Sequence, residues 1–295
     1  MIFMKLAILG PGEKAMGYTT KRLHEEANKI FKKVDMMSLV DVKLKVNDGV
    51  DAVYGKKSLK DWDYALLKID SKRASVGYPV VRFLDAMGVP KQYKSETVLL
   101  AHNKFLTLEK LASHGLPVPE TYMTGSKESA KEIVKKQKLP MIMKLLSGFG
   151  GQGVIILESK EAANTVVDTM KTLKQEILIE EFIPNPGEDI RGIVAGEEVI
   201  ASYKRIAAKG EKKANIYAGG RAEVFKLSED MKEIVLKAMK VMNIKIGAVD
   251  LIQNNDGQAF ITEVNINPGI GGIEKVTNLN VAQRIVEYIK TQMKK

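Results

Sequence analysis

Gly247-Ala-Val-Asp250-Leu-Ile-Gln-Asn254-Asn-Asp256-Gly257-Gln-Ala-Phe-Ile-Thr-Glu263-Val-Asn265-Ile-Asn267-Pro-Gly269 reads as two apolar strands joined by a tight turn. Asp-Gly between alternating apolar runs is a strong hairpin signal. A two-residue loop at Asp256-Gly257 sets Asp250 opposite Glu263, and a turn one residue earlier keeps both on the same face because side chains alternate along a strand. Asn265 shares that face. Two carboxylates opposed across strands repel, so a compensating cation is expected. The all-oxygen set suits a hard ion such as magnesium, completed by water and phosphate. A solvated hairpin face is the alternative, and the apolar neighbours Val249, Leu251, Phe260, Val264 and Ile266 weigh against it.

Upstream, Leu139-Pro-Met-Ile-Met-Lys144-Leu-Leu146 is an apolar strand interrupted by a lysine, and a buried ammonium needs an anionic partner or a shifted pKa. The next residues, Ser147-Gly-Phe-Gly150-Gly151-Gln-Gly153, offer backbone N–H groups able to fold over phosphate. The run is not a Walker A loop, because no Gly-Lys-Ser/Thr closes it and a strand, Val154–Leu157, follows. A ligand-free glycine turn is the plain alternative, and Lys144 tips the reading toward a phosphate flap. Helices are expected over Thr97–His114, Lys127–Gln137, Lys160–Leu173 and Ser228–Met242, the last with Ser228 as N-cap, and Asn280 caps a final helix. At the start, strand Phe3–Leu9 runs into Gly10-Pro-Gly12 and Gly17 before helix Tyr18–Phe31. The spacing departs from a dinucleotide fingerprint, so this is a Rossmann-like lobe without its dinucleotide. Further strands are expected at Val34–Val40, Ala52–Tyr54 and Tyr64–Lys68. Trp62 is expected in the core.

The 295 residues suffice for two or three lobes with a sizeable core. The balance of 46 Lys and Arg against 36 Asp and Glu draws anions in general. With no cysteine, disulfides, thiolate metal sites and cysteine nucleophiles are excluded. The three histidines are scattered and form no triad or zinc spacing. The first residues are too short and weakly basic for a signal peptide, and no run approaches a membrane span of about 20 residues, so a cytoplasmic protein is expected.

In unbroken order from Thr97 to Ile273, these pieces resemble the ATP-grasp superfamily, and within it the RimK-type glutamate ligases. The resemblance is carried by Lys104, Pro140–Lys144, Ser147–Val154, Glu180-Glu-Phe-Ile183, Glu188-Asp-Ile-Arg191, Arg205, Lys213-Ala-Asn215, Gly219-Gly220, Asp250, Glu263-Val-Asn265 and Asn267-Pro-Gly269. It implies an α/β chain: a Rossmann-like lobe (1–95), a central ATP-grasp lobe with the flap (96–184) and a C-terminal ATP-grasp lobe with the metal site (185–295), the two ATP-grasp lobes clasping ATP. It implies that Lys104, Lys144 and the flap residues Ser147, Gly150, Gly151 and Gly153 meet phosphate. Glu181, Phe182 and Ile183 would bind adenine, Asp189 would hold the ribose side, and Lys213 would lie in the nucleotide and substrate region. Asp250, Glu263 and Asn265 would ligate magnesium or manganese, with Arg205 and Asn215 at the transferred phosphoryl group and Arg191 either there or pairing a substrate carboxylate bidentately. The implied reaction is ATP-dependent carboxylate–amine ligation through an acyl phosphate, adding L-glutamate or another amino acid to an acidic protein C-terminus or cofactor tail, with a dimer or tetramer as assembly. A ligase acting on an amino-group carrier protein is a second enzyme reading. Lys213 stands where such ligases usually have arginine and Tyr217 where bacterial ones often have histidine, both near the expected acceptor. From a different class, the basic run Lys204–Lys213 would suit nucleic acid, although it has little aromatic interleaving.

Overall fold

The computed structural model describes residues 4–144, 153–208 and 220–293. The chain opens with β1 (Lys5–Gly10), α1 (Tyr18–Ile30) and β2 (Lys33–Ser38). A small antiparallel sheet follows, of β3 (Lys43–Asn47), β4 (Gly49–Tyr54) and β5 (Lys57–Ser58), before β6 (Tyr64–Leu67). β1, β2 and β6 form a parallel sheet in the order β2-β1-β6. The expected strand Ala52–Tyr54 is the inner part of β4. Its partner β3, Lys-Leu-Lys-Val-Asn, alternates, but with only Leu44 and Val46 as apolar members and all but Leu44 exposed it is too short and too lysine-rich to stand out as a half-buried strand. Trp62 is buried, as expected.

After α2 (Ala74–Ala86) the long helix expected over Thr97–His114 is two: α3 (Ser95–Ala101) and α4 (Lys104–Ala112). Asn103 breaks it. Its side chain accepts the Leu106 N–H at 3.1 Å, an N-cap that starts a new helix with Lys104 as its first residue.

The central sheet contains β7 (Thr121–Thr124), β8 (Met141–Lys144), β9 (Val154–Leu157) and β10 (Ile177–Glu181) in the order β7-β10-β8-β9. Helices α5 (Lys127–Lys136) and α6 (Lys160–Thr172) cover one side. Ala130, Val134, Met143, Val167 and Ile179 belong to a core of its own.

The third sheet is wholly antiparallel, in the order β13-β12-β11-β14-β15. Its strands are β11 (Glu188–Ala195), β12 (Glu198–Ile206), β13 (Arg221–Val224), β14 (Ile246–Gln253) and β15 (Ala259–Asn265). Helix α7 (Glu229–Val241), capped by Ser228 as expected, covers one face, where Gly192 leaves room for Leu227 and Val235. The other face carries Ile193, Ala195, Ile246 and Ala248 into a core shared with Leu6 and Ile8 of β1, Leu23 of α1, and helices α8 (Gly271–Thr277) and α9 (Val281–Met293). The first and third sheets thus share apolar packing. Tyr18 to Glu274 (2.9 Å), Arg22 to Asn280 (3.1 Å) and the Ile270 N–H to Thr19 (3.1 Å) join them further. Asn280 caps α9 through the Gln283 N–H, as expected. Among the described residues no helix is long and apolar enough to cross a membrane.

Candidate active site

The hairpin β14–β15 sets Asp250 opposite Glu263, as its sequence predicts, but by a different route. The loop is not the two-residue Asp256-Gly257 turn. Asn254 and Gln258 close it through the Asn254 N–H to the Gln258 carbonyl at 2.9 Å, leaving three residues, with Gly257 at φ 85° in the left-handed region. Leu251 therefore pairs with Ile261, and a bulge that leaves Thr262 unpaired restores the Asp250–Glu263 register.

The register across the sheet builds the rest. Arg191 of β11 pairs with Asp250, and Asp189 lies opposite Arg205 of β12, so Arg191, Arg205, Asp189, Asp250, Glu263 and Asn265 share one face. Arg191 grips Asp250 bidentately, Nε to Oδ1 and Nη2 to Oδ2, both at 2.6 Å. Arg205 donates through Nη2 to Asp250 Oδ2 at 2.9 Å and through Nε to Asp189. Asn265 turns its amide nitrogen to Asp250 at 3.4 Å, which leaves the amide oxygen for another partner. Burial opposes the Asp250 charge, but the two guanidiniums outweigh it and hold the carboxyl well below the usual carboxylate range. Burial pushes Asp189 up to about 6, against Arg205.

Glu263 is placed differently. Burial, then the Asp250 charge, pushes its carboxyl up, and among the described residues it makes no hydrogen bond or ion pair. A half-buried carboxylate beside a second one, with an amide oxygen two residues on, fits a hard divalent cation. Asp250 fits less simply, because its oxygens already accept from both arginines. Among the described residues there is no group of three acidic, histidine or cysteine side chains, so the set depends on Asn265 as third donor.

Lys144 has a partner that its sequence context leaves open. Across β8 and β10 its ammonium meets both oxygens of Glu180, at 2.6 and 2.7 Å, with the side chains only 11% and 2% exposed. The expected anionic partner is therefore a protein carboxylate, with phosphate a further demand on the same ammonium. Glu180 opens the Glu180–Ile183 motif but receives no role from it, although it stands in an apolar strand just as Lys144 does. Lys104 is electrostatically coupled to Glu263, Lys144 and Glu180, and burial lowers its pKa. The two lysines and the carboxylate hairpin therefore meet between the central and C-terminal sheets. Glu181, Phe182 and Ile183 lie on the crossing between those sheets. The Glu181 side chain accepts the Glu120 N–H at 3.0 Å, and Ile183 is buried. Gly153 stands before β9 at φ 78°. The flap residues Ser147, Gly150 and Gly151, with Lys213, Asn215 and Tyr217, lie outside the described residues.

Lys144→Ala should weaken nucleotide binding at least tenfold and destabilise the fold by about 3–5 kcal/mol, since it strands a buried Glu180. Lys144→Met with Glu180→Gln separates the two effects. Calorimetric titration with ADP and a thermal melt should show stability recovered and affinity still lost. Recovery of both would leave Lys144 a purely structural ion.

Two lysines on the central segment beside a hairpin that pairs two carboxylates on the C-terminal sheet are the arrangement of an ATP-grasp ligase. Residues 101–289 match the RimK-like ATP-grasp domain and residues 4–98 the RimK PreATP-grasp domain. The chain belongs to the RimK-like ATP-grasp family and is an ATP-dependent carbon–nitrogen ligase. It is 34% identical to a probable alpha-L-glutamate ligase of Legionella pneumophila (strain Corby), over 99% of this chain and 97% of that one. A probable alpha-L-glutamate ligase of Methanococcoides burtonii is 30% identical over 97% and 95%. In fold, the chain is similar to the ATP-grasp ligase PsnB complexed with minimal precursor, with a TM-score of 0.78 at 15% identity over 99% and 100% of the two chains. The RimK domain protein ATP-grasp from Sphaerobacter thermophilus gives a TM-score of 0.74 at 18% identity over 96% and 98%.

Proposed function

We propose that this ligase adds L-glutamate to an acidic acceptor, a protein C-terminus or a glutamyl-bearing cofactor tail, using ATP and magnesium. The observation that carries it is the Glu263 carboxylate, without a hydrogen bond or ion pair among the described residues, facing Asp250 and within the electrostatic reach of Lys104. A cation there and the phosphates that accompany it satisfy carboxylates and lysines together. Homologues named as probable alpha-L-glutamate ligases support the choice of amino acid.

Glu263, the Asn265 oxygen and Asp250 would hold magnesium, which when bound neutralises phosphate charge and orients the phosphoryl group. Lys104 and Lys144 would bind the phosphates from the other side. The acceptor carboxylate attacks the γ-phosphorus to give an acyl phosphate and ADP. The amine of glutamate then displaces phosphate, forming the amide. No enzyme nucleophile is required, so a chain without cysteine or a triad suffices. Arg191 and Arg205 each hold Asp250 through Nη2, and among the described residues neither Nη1 makes a hydrogen bond. Those N–H groups are donors already oriented by Asp250 toward developing negative charge. Asn215, and the flap 147–153 closing against water, complete the proposal. The lobe boundaries we propose, near residues 95 and 184, put Lys104 and Lys144 on the central lobe and the carboxylates on the C-terminal one.

The test is an ATP-consumption screen across amino acids and acidic acceptors, with product mass as readout. ADP release should require both substrates, and the product should gain the mass of one or more glutamyl residues. ATP-independent, steeply salt-dependent binding to DNA or RNA would replace this reading.

A further inference from the structure

Lys68 immediately follows β6 in Leu66-Leu67-Lys68-Ile69, and it is 6% exposed. Among the described residues its side chain makes no hydrogen bond or ion pair, and burial alone lowers its pKa to about 8. An ammonium so enclosed with no counter-charge is costly unless something anionic visits it.

Its position says where such a visitor enters. In the parallel sheet β2-β1-β6 the chain leaves β1 toward one side and later returns on the other, so β1 and β6 flank a topological switch point. Ligands of open parallel sheets enter at the carboxyl ends of the strands beside that point. The carboxyl end of β1 is Gly10, where a Cβ would lie 2.9 Å from the Lys68 Cβ, so only glycine admits this lysine without a shift. The N-terminus of the 13-residue α1 lies close by, with Gly17 at its cap and no side chain capping it. Lys68 lines a narrow cavity of about 10 Å³, room for about one water, with Thr19, Gln92, Ile246, Ile266 and Pro268, so a carboxylate reaches the ammonium by filling that space and parting the side chains around it. The polar groups of Gln92 are taken by the backbone of Leu67, and Thr19 accepts the Ile270 N–H. Within that wall, Lys68 is the charged group left to receive a ligand.

The C-terminal side of this crevice is Ile266–Ile270, which continues from Asn265 of the carboxylate hairpin. Five extended residues span at most about 17 Å. The crevice is thus within reach of a short, flexible substrate whose other end is at the phosphoryl-transfer site.

We propose that Lys68, with the first turn of α1, is a subsite for a second carboxylate of the acceptor, remote from the one that is activated, making Lys68 a positioning residue for dicarboxylate substrates. The proposal rests on the ligase reading for its substrate and on the first lobe alone for its anion. A single ammonium in an apolar wall matches a monoanionic carboxylate better than a phosphate dianion.

The test follows thermal stability of wild type, Lys68→Met and Lys68→Arg against glutarate, and separately against inorganic phosphate, both without nucleotide. Glutarate should raise the melting temperature of wild type, less so that of Lys68→Arg, and not that of Lys68→Met. The ADP affinity of Lys68→Met should stay within twofold of wild type, while KM for an acidic acceptor rises at least tenfold with kcat nearly kept. Equal glutarate stabilisation of wild type and Lys68→Met, or phosphate outcompeting glutarate, overturns the proposal. Should Lys68→Met not fold, the Cε resonance of Lys68 in 13C-lysine wild type decides. Movement on adding glutarate supports the subsite, and no movement overturns it. Since glutarate binding needs no turnover, failure of the ligase reading would show as absent ADP release with this binding intact.

Discussion

Asp250→Ala should lower the melting temperature by roughly ten degrees, in addition to abolishing ligation. Removing the carboxylate leaves Arg191 without an anionic partner among the described residues and Arg205 with Asp189 alone, the two guanidiniums side by side and largely buried. Breaking a buried ion pair from one side costs about 3–5 kcal/mol, and in a chain of this size each kcal/mol moves the midpoint by about 2–4 °C. Asp250→Asn keeps the shape and some hydrogen bonding, and should fall between. The pH dependence has a definite sign. The folded pKa of Asp250 lies below its unfolded value, so its contribution is complete above about pH 4 and is lost as pH falls through the folded value. Differential scanning calorimetry checks this, and a melting point within two degrees of wild type would show that the arginines do not depend on Asp250.

Glu263→Gln should behave in the opposite way. Turnover should drop by about a thousandfold, the loss expected when several kcal/mol of charge stabilisation go with a metal ligand. Stability measured with EDTA should hold or rise. The folded pKa of Glu263 is raised by burial and by Asp250, so its ionised form costs stability at neutral pH. That cost fades as pH falls through the folded value toward the unfolded one. The advantage of the Gln variant should therefore be largest near pH 7 and disappear near pH 4. Undiminished turnover would remove Glu263 from the metal set, and a lower melting point would show that its carboxylate is already neutralised by the protein.

These two residues face each other across one hairpin, and sequence reading treats them alike because alternation reports a face and nothing about occupancy. The shared face was legible from Asp250, Glu263 and Asn265 alone. That Asp250 is held by Arg191 and Arg205 depends on β11 lying between β12 and β14, a long-range order that no local pattern encodes. Lys144 was conspicuous as a charge in an apolar strand, yet its partner Glu180 lies 36 residues away. Lys68 carries the same signal, a lysine ending an apolar run, but no glycine flap follows it to distinguish it from an ordinary strand end. Asn103 was legible in principle as a cap, but the apolar residues on both sides continue a helical period through it. Strand β3 alternates over only two apolar residues, Leu44 and Val46, among lysines, too short a pattern to separate a strand from an exposed loop.

The bulge at Thr262 has a consequence for how this hairpin tolerates change. Loop length and the alignment of the two carboxylates are set at separate places, the tip at 255–257 and the unpaired residue at 262. An insertion or deletion at the tip can be offset by gaining or losing the bulge, with Asp250 and Glu263 still opposite each other. The outer end of the hairpin is thereby free to diversify while its inner end stays in register, a division of labour that an uninterrupted ladder does not offer.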